Sequence, residues 1–68
     1  MKKFAERLKE LRLEKDRLIG DVAKELGVTL TTVARWEKGT REPDNIDMLI
    51  KICVLFNCSA GYLIGLED

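Results

Sequence analysis

Apolar residues recur every three or four positions along most of the chain, a spacing that places them on one face of an α-helix. The pattern is clear at the start, where Phe4, Leu8 and Leu11 stand among Lys, Glu and Arg. It predicts five helices, over residues 2–15, 19–26, 30–37, 45–56 and 60–64, and no strand. The predicted fold class is therefore all-α, a compact arrangement of five helices.

Glycines and short polar residues mark the ends of these helices. Gly27 is expected to end the second helix in the left-handed conformation. Thr29 is a good N-cap for the third helix, and Asp44 and Ser59 are expected to cap the fourth and fifth. The second and third helices are thus joined by a tight turn around a glycine, which predicts a helix-turn-helix over about residues 19–37.

The two helices of this unit are expected to share a core. Its predicted members are Val22, Ala23, Leu26, Val28, Val33 and Trp36. Ala23 is small where the two helices would cross, and Trp36 follows Val33 by three residues. Trp36 is therefore expected to pack inward and not to stack on a ligand.

Length and composition limit the classes of protein that fit. A chain of 68 residues allows a single domain, predicted here to span residues 1–68, and no apolar run is long enough to cross a membrane. With no histidine and two cysteines the chain lacks the ligands for a zinc site, so we expect no metal, no cofactor and no catalysis. Cys53 and Cys58 are expected to be reduced and mostly buried, in a cytosolic protein.

Charge is distributed unevenly although the net charge is zero. Residues 1–41 carry eleven Lys or Arg and seven Asp or Glu, whereas residues 42–68 carry one Lys and five Asp or Glu. A basic half could meet phosphate while the acidic half faces away. The same asymmetry could also belong to an ordinary solvated surface, and charge alone does not decide between the two.

Three stretches resemble the Cro/repressor-type (Xre-like) helix-turn-helix family. They are residues 8–12, residues 22–29 and residues 35–43, and residues 55–59 and 62–65 match the end of the same domain. The stretch from Trp36 to Pro43, in register with the turn at Gly27, is the most specific. The resemblance implies a lambda-repressor-like domain that binds double-stranded DNA, commonly a transcriptional repressor that binds its operator as a dimer. Such a regulator would be bacterial or phage-encoded and would act in the cytoplasm, at the nucleoid.

The resemblance also implies which residues meet DNA. The third helix would be the recognition helix in the major groove. The positions carried over are Thr29, Leu30, Thr31, Thr32 and Arg35, followed in the loop by Lys38, Gly39, Thr40 and Arg41. Arg35 could pair with guanine, and the loop residues would hold the phosphate backbone. Arg12 and Glu37 match family positions that commonly form a buried ion pair between the first and third helices.

Two positions depart from the family. The second helix usually starts with a Ser or Thr cap followed by Gln, and here these residues are Leu18 and Ile19. Ile19 and Leu30 could together contact thymine methyl groups, or an operator contact could be lost. A third interpretation is a surface for another protein, extended by Leu13 and Leu18. Arg17 stands where the family often has an apolar residue, so an irregular connection is expected there.

A protein-interaction module with weakened DNA binding is the alternative function, favoured by the near-neutral pI of about 6.3. Dimerisation is implied by the family alone. Some of the apolar residues Tyr62, Leu63, Ile64 and Leu66 are the expected interface. The chain could be a complete small regulator or a domain of a longer repressor.

Overall fold

The computed structural model describes residues 3–68, in which five α-helices and no β-strand are present. The helices are α1 (Phe4–Glu14), α2 (Ile19–Leu26), α3 (Leu30–Lys38), α4 (Ile46–Phe56) and α5 (Ala60–Ile64). The predicted all-α arrangement is confirmed, and the predicted ends differ from the observed ones by at most two residues. The expected start of the first helix at residue 2 lies outside the described residues.

Two of the three predicted N-caps are confirmed. The Oγ1 atom of Thr29 accepts a hydrogen bond from the Thr32 amide at 3.1 Å, and Ser59 caps α5 in the same way. The prediction of Asp44 as the cap of α4 is wrong. Asn45 caps this helix, because its Oδ1 accepts from the Met48 amide at 2.9 Å. The helix begins one residue later than predicted, and only the side chain three residues before Met48 can reach that amide.

The start of α2 lacks a capping side chain, as expected for Leu18, and is supported in another way. The Leu18 amide donates to Oδ2 of Asp21 at 3.1 Å, which is one half of a capping box. The connection before it is irregular, with Asp16 in the left-handed conformation at φ 54°. Arg17 then forms an exposed ion pair with Glu25, which raises the pKa of Arg17, chiefly through the hydrogen bond. Asp21 thus bonds the Leu18 amide, and Arg17 ties the connection to α2 through Glu25.

The core lies where α1, α2 and α3 meet and is closed by α4 and α5. Its buried apolar members are Phe4, Leu8, Val22, Ala23, Leu26, Val33, Trp36, Ile52, Phe56 and Leu63. The rings of Phe4 and Trp36 meet edge to face with centroids 6.3 Å apart, which ties α1 to α3. Trp36 is therefore a core residue, as predicted, and it holds the opposite face of α3 toward solvent.

Arg12 and Glu37 form a buried ion pair between α1 and α3. The guanidinium is bidentate, with Nε 2.7 Å from Oε2 of Glu37 and Nη2 3.0 Å from Oε1. Nη1 of Arg12 also donates to the Arg17 carbonyl at 2.8 Å. The hydrogen bond to Glu37 raises the pKa of Arg12, burial opposes it, and the charge of Glu37 adds to the increase. Each of the three guanidinium nitrogens thus donates a hydrogen bond, and the ion pair fixes where α3 lies against α1.

A second buried arginine, Arg7, secures the C-terminal segment. Its Nη1 donates to the carbonyl oxygens of Tyr62 and Glu67, and its guanidinium lies 4.3 Å from the centre of the Tyr62 ring. Leu63 is fully buried. The expectation that some of the C-terminal apolar residues form a dimer interface stays a prediction, but Leu63 belongs to the core and Tyr62 packs against Arg7. Of the expected set, Leu66 is largely exposed.

The two glycines of the helix-turn-helix are expected to respond oppositely to replacement by Ala. Gly27 has φ +74°, so Gly27→Ala is expected to lower the free energy of unfolding by about 1 kcal/mol. Gly20 has helical geometry, and a Cβ atom there would meet Leu30 Cδ1 at an ordinary 3.5 Å. Gly20→Ala is expected to raise the free energy of unfolding by about 0.4–1 kcal/mol. Urea unfolding of both variants checks the pair, and equal effects would contradict the assigned backbone conformations.

Candidate nucleic-acid interface

One face of α3 is turned to solvent because the opposite face is fixed in the core. Val33 and Trp36 are buried, and Thr31, Arg35 and Lys38 follow one another at spacings of four and three on the other side. All three are exposed. Leu30 and Thr32 lie on the two flanks of this face, Leu30 exposed and Thr32 half-buried. The predicted recognition helix therefore presents the predicted residues on one continuous surface.

The first turn of α3 is tied by its two threonines. The hydroxyl groups of Thr29 and Thr32 are 2.9 Å apart, and Thr29 also accepts from the Thr32 amide. The Thr32 hydroxyl therefore takes part in holding the cap as well as lying on the candidate surface. Thr31, between them, is exposed and lies on the outward face.

The loop after α3 folds back onto the helix. Gly39 ends α3 at φ +79°, and the Thr40 amide then donates to the Arg35 carbonyl at 3.1 Å. The Thr40 hydroxyl donates to the same carbonyl at 3.3 Å. These bonds fix the direction of the chain after the helix. The four residues predicted to hold the DNA backbone, Lys38, Gly39, Thr40 and Arg41, are all exposed, but Lys38 is the last residue of α3 and not, as expected, part of the loop.

A cleft brings the helix and the loop together. Its volume is about 250 Å³, and its lining includes Arg35 from α3 and Arg41 from the loop. Glu42 and Asp44 line the same cleft, and the sequence analysis did not include them in the site. Glu42 follows Arg41 directly and Asp44 follows it by three residues, and this closeness in the sequence was the signal that could have placed both acids near the site. The surface near Arg35 is thus mixed in charge, which limits its attraction for phosphate in general.

The apolar residues at the start of α2 and α3 divide into two groups. Leu30 is 57% exposed, and its Cδ1 atom lies over Gly20 at the start of α2. Leu18 is also exposed, whereas Ile19 is half-buried and packs against the core. The anticipated Ile19 and Leu30 pair is therefore unequal, since Leu30 has much more surface to offer a ligand than Ile19.

The chain offers little other chemistry in its described part. Cys53 and Cys58 are free and half-buried, and burial, together with the nearby Cys53, raises the pKa of the Cys58 thiol to about 11. This shift disfavours the thiolate, which is the reactive form of cysteine. Among residues 3–68 no cluster of three or more His, Cys, Asp or Glu could hold a metal ion. No helix in this range has the length and apolar character needed to span a membrane.

Comparison with known proteins gives two matches and one negative result. A model of a helix-turn-helix family matches residues 8–63. The HTH-type transcriptional regulator ImmR of Bacillus subtilis (strain 168) is 32% identical over 65 residues, which are 96% of this chain and 50% of that protein. The chain thus spans half the length of this relative. No solved structure matches the chain with significance.

Proposed function

Because the chain belongs to the helix-turn-helix family, we propose that it binds double-stranded DNA as two identical copies, with α3 of each copy in the major groove. The family match confirms the Cro/repressor-type resemblance and the lambda-repressor-like fold. It makes the chain a DNA-binding domain from a family of transcriptional regulators and not of enzymes. Pairing of two copies, recognition of an operator and repression of transcription are the further parts of the proposal. We also propose that residues 1–68 act as one DNA-binding unit and that the protein is located in the cytoplasm.

The observation that carries the proposal is the outward face of α3. Thr31, Arg35 and Lys38 are exposed on it because Val33 and Trp36 are buried behind them. Arg35 is assigned to guanine O6 and N7, which a guanidinium can contact with two hydrogen bonds. Thr31 is assigned to a neighbouring base edge, where its hydroxyl can donate or accept.

The loop and the cap supply contacts that position the helix without recognising sequence. Lys38, the Gly39 amide, Thr40 and Arg41 are assigned to phosphates. Thr29 can give its hydroxyl to a further phosphate while its oxygen still caps α3. The hydrogen bonds of Thr40 to the Arg35 carbonyl hold this loop in one conformation before DNA arrives, so less conformational entropy is lost on binding.

Leu30 is assigned to a thymine methyl group. Its exposed side chain lies beside the start of α2 and has no polar atom, so an apolar base edge is the ligand it suits. Replacing each operator thymine in turn by deoxyuridine removes only that methyl group. At one position we expect the unaltered chain to bind the deoxyuridine duplex about fivefold more weakly than the thymine duplex. Leu30→Ala should bind these two duplexes equally well.

The same experiment contains its own control. Thr31→Ala should weaken binding to both duplexes and leave the difference between thymine and deoxyuridine in place. If no thymine is sensitive to the loss of its methyl group, Leu30 does not contact one. Its exposure would then favour the interpretation as a lost operator contact or a surface for protein.

Salt dependence tests the proposal against a role in protein interaction. Two copies that each neutralise two phosphates, through Lys38 and Arg41, would give a log–log slope of about −4 and a loss of affinity of about 150-fold between 50 and 200 mM salt. Fluorescence anisotropy with a labelled duplex measures this slope. A protein-interaction module would show no such affinity, and the exposed side chains of Leu13 and Leu18 are then the surface to examine.

A further inference from the structure

Helix α4 carries an apolar stripe on its solvent face. Ile46, Ile50 and Val54 follow one another at intervals of four residues and are 71%, 52% and 75% exposed. The opposite face of α4 is buried through Ile52 and Phe56. The helix is thus apolar on both sides, although only one side is needed for the core of the described chain. Contiguous exposed apolar surface of this kind is typical of an interaction site.

A shallow apolar groove runs beside the stripe, between α4 and the end of α2. Its volume is about 320 Å³, and its lining is apolar at Leu26, Ile50, Val54 and Leu55 and charged at Glu25 and Lys51. The surface therefore combines a protruding row of side chains with a recess of the same apolar character. A surface with both features can fit a second copy of itself, as an interface across a two-fold axis requires.

The charged residues of α4 lie along one edge of the stripe. They are Asp47 and Lys51, which are exposed, opposite in charge and four residues apart. At 100° per residue both fall on the same side of Ile50. The other side is formed by Leu49 and Cys53, which pack against the core. The stripe is therefore bordered by one acid and one base on one side and by uncharged residues on the other.

We propose that this stripe is the surface through which two copies of the chain pair, with their α4 helices antiparallel about a two-fold axis near Ile50. The inference rests on the proposed function in one respect, which is that the pairing serves to bring two DNA-binding copies together. It names the surface on which the two DNA-binding copies meet, in place of the C-terminal residues that the sequence suggested.

The charges favour the antiparallel arrangement of two copies. With the axis at Ile50, residue 46 of one copy faces residue 54 of the other, and the edges that carry charge adjoin each other. Asp47 then lies about two residues, or about 3 Å along the helix, from the level of the second copy's Lys51. Two such pairs form, and they outweigh the single approach of Lys51 to the second copy's Lys51, which has the same separation along the helix. A parallel arrangement would put each charged edge against the uncharged edge of the other copy.

Exchange of the two charges provides the test. In Asp47→Lys both edge residues are basic, and in Lys51→Asp both are acidic, so each variant alone should pair at least about tenfold more weakly than the unaltered chain. An equimolar mixture of the two variants restores both opposite-charge contacts. Sedimentation equilibrium over micromolar to millimolar concentrations should therefore show a dissociation constant at least about tenfold higher for each variant than for the unaltered chain, and recovery of tight pairing in the mixture. Loss of helix stability cannot produce this restoration.

A hydrophobic variant and a matched control complete the experiment. Ile50→Glu should weaken pairing by at least about a hundredfold, because it places two like charges at the axis. Leu66→Glu introduces the same charge at a residue that is 81% exposed and outside α4, and it should leave pairing unchanged. A monomeric unaltered chain, no dimer in the mixture, or loss of pairing in Leu66→Glu alone would overturn the proposal.

Failure of this inference can be told from failure of the proposed function. A chain that pairs through α4 in sedimentation and shows no affinity for DNA supports the interface and removes the function. A chain that binds palindromic DNA cooperatively while Ile50→Glu binds it equally well supports the function and removes the interface. If both hold, Ile50→Glu should lose affinity for a palindrome and keep its affinity for a single half-site.

Discussion

Replacement of Arg12 by Met is expected to lower the free energy of unfolding by about 3–5 kcal/mol. The change removes a bidentate partner from Glu37, whose side chain is only 7% exposed, and leaves a buried carboxylate without its counter-ion. It also leaves the Arg17 carbonyl without the bond from Nη1. A chain of this length has a total stability of about 3–10 kcal/mol, so the variant should lose most of it. Urea unfolding followed by circular dichroism measures the change.

Two further variants show whether the buried charge is the cause. Arg12→Met combined with Glu37→Leu removes both charges and should be more stable than Arg12→Met alone, because no unpaired carboxylate remains. Arg17→Met breaks the exposed pair with Glu25 and should change the melting temperature little. A small effect of Arg12→Met, equal to that of Arg17→Met, would mean that the pair does not hold α3 to α1.

Replacement of Arg35 by Ala is expected to lower affinity for the operator by about 5-fold to 150-fold, the equivalent of about 1–3 kcal/mol. The side chain is exposed, and the carbonyl that receives the bonds from Thr40 belongs to the backbone. The fold should therefore persist while the guanine contact is lost. Titration of an operator and of a duplex with the guanine replaced measures both affinity and discrimination.

Lys38→Ala is the matched control for this prediction. Lys38 lies on the same face of α3 and is assigned to phosphate, so its loss should weaken binding to all sequences alike. It should also reduce the slope of the salt dependence by about one for each copy. Equal discrimination between guanine and its replacement in Arg35→Ala and in the unaltered chain would contradict the assignment of Arg35 as the residue that recognises sequence.

The helices and the turn could be predicted because their signals are local. Apolar spacing places Val33 and Trp36 on one side of α3, and Thr29 and Gly27 define the turn before it. The residue that caps α4 was harder to predict. Asp44 and Asn45 can both cap a helix, and only the observed backbone decides that Asn45 reaches the Met48 amide.

The side of α4 that faces the core could not be derived from its sequence. Ile46 and Ile50 continue the apolar spacing of Leu49, Cys53 and Phe56, so the sequence alone makes all five look like one stripe. A helix that is apolar on two opposite sides has no single apolar face to show which side meets the core. The structure divides this stripe, since Ile46 and Ile50 are exposed.

The partners of the buried charged residues could not be predicted from the sequence alone either. Arg7 stands three residues after Phe4 and four before Leu11, so its spacing places it on the apolar face of α1, whereas its charge is typical of a solvated position. Its hydrogen-bond partners are the backbone carbonyl oxygens of Tyr62 and Glu67. Because every residue has a backbone carbonyl, the sequence does not reveal these partners. Arg12 and Glu37 were identified only through the family resemblance, and their geometry now gives that pair a physical role.

For the candidate site, residue types came from the family resemblance and geometry came from the structure. The resemblance indicated Arg35 and Arg41, but their meeting in one cleft depends on how Thr40 folds the loop back onto α3. The cleft also includes Asp44, whose predicted role was only to cap α4. Charge along the sequence could not show that an acid would lie so close to Arg35.

Selection from a pool of random duplexes of about 30 base pairs, at two salt concentrations, shows whether this chain recognises an operator through α3. We expect retention that decreases steeply with salt and a palindromic consensus whose half-sites lie about 34 Å, one turn of DNA, apart. Each half-site should contain a guanine that Arg35→Ala no longer requires. Absence of retention at low salt, or retention with no consensus, would contradict the claim that this chain recognises an operator through α3.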